Sequence, residues 1–336
     1  MQGESSLGRL LWPLVLTGVV VVVVLSFARQ PLSGGDGQAA GLARPVTLWL
    51  AGGKAGSLAE AVAQQAASCW AGDGQAAQVG HLPGSSSTAV AGFLTNAHDA
   101  SEELLVITST TLADIAHDRS VAAPSSEPGE HAQTATQLLA GAAPIAVLGS
   151  DPLALAVRAN SPIHSDAQLL ETMRAAGSRP LFGVAADAWL RDNLGALVGG
   201  SGVGRRLPYA VYGSSREAIV SLLGGEVEAV LAPTNALHAV HDGGRLRLLP
   251  WPSWSGGAPR AWVAIVGAPG LSAATVARLR ARARDLCGGA GWTQLLRGDG
   301  LSPARLSAAG LAGFVSAGVG ATTRLQRLAA PVVRDF

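Results

Sequence analysis

Five short turns hold the groups in this chain best suited to chemistry: Gly52-Gly53-Lys54, Ser109-Thr110, Gly183-Val184-Ala185, Ser214-Ser215 and Thr234-Asn235. Each stands at or just after a short apolar run, and all but Gly183-Val184-Ala185 precede a helical pattern. Ligands of open α/β sheets sit where strands end and helices begin. A helix start exposes unpaired N–H groups and about half a positive charge, so it suits a carboxylate. The chemistry implied is anion binding without a catalytic side chain. Lys54 is the only lysine in the chain. It could pair with a ligand carboxylate, or it could be a solvated loop lysine.

Other constellations carry less. Gly52-Gly53-Lys54-Ala55 has neither the glycine spacing nor the Ser/Thr of a phosphate loop. Gly84-Ser85-Ser86-Ser87 and Gly200-Ser201-Gly202 do not make the Gly-x-Ser-x-Gly elbow of serine hydrolases and read as turns. His238 and His241 share a helix face beside Asp242, but a metal needs a third ligand from elsewhere. Arg278, Arg280, Arg282 and Arg284 spread around a helix and read as a solvated face. Trp251 and Trp254 read as packing residues, and Trp49 as core or cleft lining. No nucleophile–base pair stands out, so an enzyme is not expected, nor a cofactor or metal. Formal net charge is +1, with no basic cluster interleaved with aromatics, which argues against a nucleic-acid partner.

The elements that must position the turns can be read from periodicity. Strands are expected at Val46–Leu50, Leu104–Thr108, Ile145–Leu148, Ala154–Arg158, Leu181–Val184, Tyr209–Tyr212, Val227–Leu231 and Trp262–Val266. Helices are expected at Ser57–Trp70, just after Ser109-Thr110-Thr111, and at Ser165–Ala176, Ser215–Leu223, Ala236–Asp242, Ser272–Cys287 and Ala304–Ala329. Ser165 suits an N-cap. Gly224-Gly225 and Gly243-Gly244 suit left-handed helix C-caps. Alternation of this kind implies a parallel sheet with helices on both faces. Pro31–Pro45 has linker composition and Ser120–Gln133 that of an exposed loop.

Leu10–Phe27 is an uncharged apolar run between Arg9 and Arg29. That is long enough to cross a bilayer core about 30 Å thick. The run is longer than the core of a usual signal peptide, and its only small-x-small site, Ser26-Phe27-Ala28, is followed by Arg29. An uncleaved membrane anchor is expected, with a cleaved signal as the alternative. Either places the remainder outside the cytoplasm, where Cys69 and Cys287 could form a disulfide; in a reducing compartment they would be buried thiols.

The most specific passage is Tyr209–Leu249: Tyr209, then Ser214-Ser215-Arg216-Glu217-Ala218, Leu222-Leu223-Gly224-Gly225-Glu226-Val227-Glu228 and Gly244-Arg245-Leu246-Arg247. It resembles the tripartite tricarboxylate transporter substrate-receptor family, the Bug-type extracytoplasmic solute-binding proteins. Ser161-Pro162-Ile163 with Leu169-Leu170, Trp262 with Ala268-Pro269-Gly270-Leu271-Ser272, and Val46–Ser57 are similar to its other signatures. The resemblance implies an α/β type II periplasmic-binding-protein fold, two lobes hinged on two crossing strands behind the N-terminal helix. It places residues 1–28 in the signal or anchor helix, 29–44 in a linker, 45–150 with 261–336 in lobe 1, and 151–260 in lobe 2. Cys69 and Cys287 then share a lobe. The five turns would supply backbone and hydroxyl contacts, partly through water, to a small carboxylate delivered to membrane permease subunits. A ligand-free, membrane-tethered sensory adaptor is the alternative. Two departures stand out. Gly56-Ser57 replaces the family's acidic residue after the first glycine loop. Gly183-Val184-Ala185-Ala186-Asp187 replaces a Gly-Ser-Ser-Gly stretch, losing two hydroxyls.

Overall fold

Apolar residues on both faces of successive strands build the sheet of the computed structural model. It describes residues 46–51, 57–72, 76–95, 102–118, 139, 141–175, 181–203, 208–255, 258–286, 289–298 and 300–304. The chain begins β1 (Val46–Ala51), α1 (Leu58–Gly72), β2 (Ala77–Leu82), α2 (Ser86–Thr95), β3 (Glu102–Thr108) and α3 (Ser109–His117). Val46, Leu48 and Leu50 alternate with Trp49 and Ala51, and the two sets enter different cores. One contains Val62, Ala66 and Trp70 of α1; the other contains Val90 and Phe93 of α2 with Leu112 and Ile115 of α3. Period-2 burial on both faces is what a sheet covered by helices on each side requires. Trp49 belongs to packing: its ring lies where a Cβ on Gly80 would stand, so the neighbouring strand must carry glycine there.

Next comes β4 (Ala143–Arg158), followed by α4 (Asp166–Ala175), β5 (Phe182–Ala185), α5 (Ala188–Gly200), β6 (Tyr209–Tyr212), α6 (Ser215–Gly224), β7 (Ala229–Pro233), α7 (Thr234–His241) and β8 (Leu246–Leu249). A single 3-10 turn, Ser253–Ser255, leads to β9 (Arg260–Gly267), α8 (Ala273–Leu286), α9 (Ala290–Gly298) and β10 (Ser302–Pro303). The strand order is β2-β1-β3-β9-β4-β7-β5-β6, with β8 and β10 also pairing β4.

The sheet is mixed, which corrects the expectation of a parallel one. Pairing is parallel within β2-β1-β3 and within β7-β5-β6, but β3-β9, β9-β4 and β4-β7 are antiparallel. The reason is that β9 returns from the far end of the chain between β3 and β4. A second correction concerns β4. Ile145–Leu148 and Ala154–Arg158 were expected as separate strands around Gly149-Ser150-Asp151-Pro152, yet all lie in one sixteen-residue strand. A register shift between Val147 and Gly149 absorbs the irregularity. Pairing of β4 with β9 ends at Pro152↔Arg260, and pairing with β7 begins at Leu153↔Pro233. β4 thus runs from one half of the sheet into the other.

Five described strands and helices have no counterpart in the sequence reading: β2, α2, α5, α9 and β10. Several starts also move: β3, β4 and β9 begin two residues early, at Glu102, Ala143 and Arg260, β7 begins at Ala229, α3 takes in Ser109-Thr110-Thr111, and α7 takes in Thr234-Asn235. Ser165 accepts from the Gln168 N–H at 3.3 Å, as an N-cap does. Gly225 and Gly244 take φ of 78° and 69° after α6 and α7, the left-handed turn glycine tolerates. Arg280 is not merely solvated, because its guanidinium donates to the Pro144 carbonyl at 2.7 Å and ties α8 to β4. Trp254 packs on the core and donates to the Leu197 carbonyl of α5 at 3.1 Å. Among the described residues no helix is long and apolar enough to cross a membrane. The Leu10–Phe27 run, the Pro31–Pro45 linker, the Ser120–Gln133 loop and nearly all of Ala304–Ala329 lie outside them.

Candidate functional site

Parallel pairing aligns the carboxyl ends of β1 and β3 in the first half, and those of β5, β6 and β7 in the second. Each of these ends leads into a helix, so helix starts gather along the strand ends in both halves.

In the first half the caps are hydroxyls. Ser57 accepts from the Glu60 N–H ahead of α1, and Ser85 from the Thr88 N–H at α2. The Ser86 hydroxyl donates to the Ala51 carbonyl, drawing α2 to the end of β1. At α3, Thr108 and Thr111 form a reciprocal capping box: Thr108 Oγ1 accepts from the Thr111 N–H at 3.1 Å, and Thr111 Oγ1 from the Thr108 N–H at 3.2 Å. Both threonines are buried. Thr110 stands between them in the chain, and its hydroxyl crosses to the second half, where it donates to Asp187 Oδ2.

Asp187 is the N-cap of α5, its Oδ1 accepting from the Leu190 N–H at 3.0 Å. The contact with Thr110 closes one end of a seam between α3 and α5. His117 closes the other: its Nε2 lies 2.9 Å from both carboxylate oxygens of Asp192, which is buried. That pairing holds the His117 pKa above its ordinary value against partial desolvation. Asp114 lies between these contacts along α3. Its carboxyl is raised by desolvation at the seam and next by the Asp187 charge, although its outer edge remains exposed.

The other second-half helix starts also hold carboxylates. Ser214 caps α6 by accepting from the Glu217 N–H at 3.2 Å, while Glu217 accepts from the Gly213 N–H at 2.9 Å. At α7, Asp151 reaches over from β4 to accept from the Asn235 N–H at 2.7 Å and from the Ser302 hydroxyl at 3.2 Å. Burial raises the Asp151 pKa, and these two donors oppose the rise. Thr234 donates to the Pro152 carbonyl at 2.8 Å and Asn235 Nδ2 to the Leu301 carbonyl at 2.9 Å.

The structure therefore brings Thr110 against the α5 start that follows Ala185, while Ser109 is buried in the first turn of α3. The ends of β5 and β6 lie side by side, the Ala186 N–H bonding to the Tyr212 carbonyl at 2.7 Å, and β6 leads on to Ser214 and Ser215 at the start of α6. Gly183 and Val184 lie within the packed strand; a Cβ on Gly183 would stand 3.2 Å from the Tyr212 ring. Thr234 and Asn235 knit β4, α7 and the segment before β10 together. Gly52, Gly53 and Lys54 lie outside the described residues. Cys69 is a free thiol that accepts from Gln65 Nε2 at 3.4 Å, and Cys287 lies outside the described residues. His241 bonds through Nδ1 to the Leu246 carbonyl at 3.0 Å, and no metal-holding cluster occurs among the described residues. The residues missed from sequence are Asp187 as a contact of Thr110, the His117–Asp192 pair and Asp151. Asp187 and Asp151 stood in stretches that the sequence reading singled out, Gly183–Asp187 and Gly149–Pro152, but neither was read as a contact.

No protein-family model matches this sequence, and no curated protein does. Solved structures match over most of its length. A TctC solute-binding protein from Polaromonas, solved without ligand, superposes with a TM-score of 0.63 at 16% identity, over 84% of this chain and 98% of that one. The fold is that of the TctC and Bug solute-binding proteins. The periplasmic binding protein BugD matches with a TM-score of 0.55 at 16% identity, over 85% of this chain and 98% of its own. MatC from Rhodopseudomonas palustris, solved with bound malate, gives 0.56 at 16% identity, over 84% and 98%. Another R. palustris protein, solved with adipate, gives 0.56 at 18% identity, over 85% and 97%. These neighbours are binding proteins rather than enzymes. At such identities the likeness is one of fold.

Proposed function

We propose that this chain is a non-enzymatic extracytoplasmic receptor that holds a small carboxylate between its sheet halves and delivers it to a TctC-type membrane permease. Its N-terminal apolar segment tethers it to the membrane. The observation that carries the reading is the meeting of the α3 and α5 starts at the strand ends, in a fold whose neighbours include proteins solved with malate and adipate. The hydroxyl-capped starts of α2 and α3 have no acid of their own in the first turn, so their positive ends suit an incoming acid. Ser109, Thr110, Ala185, Ser214 and Ser215 border the seat.

The test is thermal unfolding of the full chain in mild detergent against mono- and dicarboxylates of four to six carbons. An acid present at about 100 times its dissociation constant should add about 2.7 kcal/mol. A complete panel without a shift would sink the proposal.

A further inference from the structure

We propose that Asp187 is a tethered competitor for the acid: its carboxylate occupies the Thr110 hydroxyl in the closed receptor, and an incoming carboxylate must displace it. This deepens the receptor reading above and rests on it.

Three observations carry the idea. The two oxygens of Asp187 have separate tasks, one capping α5 through the Leu190 N–H and the other taking the Thr110 hydroxyl from the opposite half. A cap needs only the first, and serine would serve as well. Next, the hydroxyls of Thr108 and Thr111 are engaged with each other's backbone N–H groups, whereas that of Thr110 is turned across the seam. An acid seated at the start of α3 would seek the same hydroxyl. Finally, Asp187 is not alone in its charge. Asp114 lies near enough for the Asp187 charge to raise its pKa, while His117 and Arg191 oppose that rise. Asp192 is already paired with His117. A second carboxylate at Thr110 would sit beside Asp187, and like charges at such range repel strongly where water is partly excluded.

An occupant with one carboxylate too many is thus penalised until Asp187 swings aside. Asp187 can do so while retaining its bond to Leu190, because the cap uses the other oxygen. The resting protein is closed on its own acid, and affinity for free acids is set by that exchange.

The experiment compares malate and adipate binding by calorimetry in the full chain and in Asp187→Ser, which keeps a capping hydroxyl but cannot reach Thr110. The substitution should tighten binding by tenfold or more, and adding Thr110→Val should abolish the gain. Wild type and Asp187→Ser binding equally well would overturn the inference and leave the receptor reading standing. An equal gain in Asp192→Asn would also overturn it, since loosening the far end of the seam would then suffice. Neither acid binding either protein would remove both readings. Thermal unfolding of Asp187→Ser close to wild type establishes that the comparison is between folded proteins.

Discussion

The two halves of the sheet end their strands in the same way and finish their helices differently. In the first, α1, α2 and α3 start on the hydroxyls of Ser57, Ser85 and Thr108, and only α1 adds an acid of its own, Glu60, in its first turn. In the second, α5, α6 and α7 each have a carboxylate at the start, from Asp187, Glu217 and Asp151. A hydroxyl satisfies an N–H but leaves the helix dipole unneutralised; a carboxylate does both. The α2 and α3 starts, which have no acid of their own in the first turn, keep more of their attraction for an anion than the starts of the second half.

If that contrast is right, removing second-half acids should cost the most stability. Asp151→Ala leaves the Asn235 N–H and Ser302 hydroxyl without their buried acceptor and should lose about 2–3 kcal/mol in denaturant unfolding. Asp151→Asn, which retains an acceptor oxygen, should lose less; equal losses would reduce Asp151 to a packing residue. Thr108→Ala breaks the buried capping box and should cost about 1–2 kcal/mol. Unlike the Asp151 effect, this loss should not vary with pH, because no charge is involved.

The seam between the halves supplies a smaller effect with a definite sign. The folded His117 pKa is raised above 6.5. Its pairing with Asp192 therefore stabilises fully below that value and is lost as pH rises through the raised one. With the His117 side chain 47% exposed, the contribution should be under about 1 kcal/mol. The melting-temperature difference between wild type and His117→Gln should shrink with rising pH; a flat difference would contradict the pairing. Smallest should be Ser214→Ala, about 0.5 kcal/mol at an exposed cap.

What could be read from the sequence follows from how local each cause is. The strands beginning at Val46 and Leu104 announce themselves by β-branched and leucine runs, and Gly225 and Gly244 mark helix ends because only backbone geometry is at stake. The Ala77–Leu82 strand has few such residues, and the Ala188–Gly200 helix is diluted by glycines, so both depend on packing to form. The long β4 was divided because Gly149 and Pro152 locally favour a break that its neighbours β9 and β7 override. In the site, strand-end turns were legible as places where helices begin. The identity of what already sits in them was not, because Thr110 and Asp187 are 77 positions apart, and no periodicity reports a contact at that range.

Pro152 has one more effect. At the point where β4 leaves β9 and joins β7, the residue in line has no amide hydrogen, and the next one, Leu153, bonds to the Pro259 carbonyl at 2.8 Å. A ribbon flexing there has no ladder bond from Pro152 to rupture, so the strand can act as a leaf spring. Its stiffness comes from the pairings above and below that point.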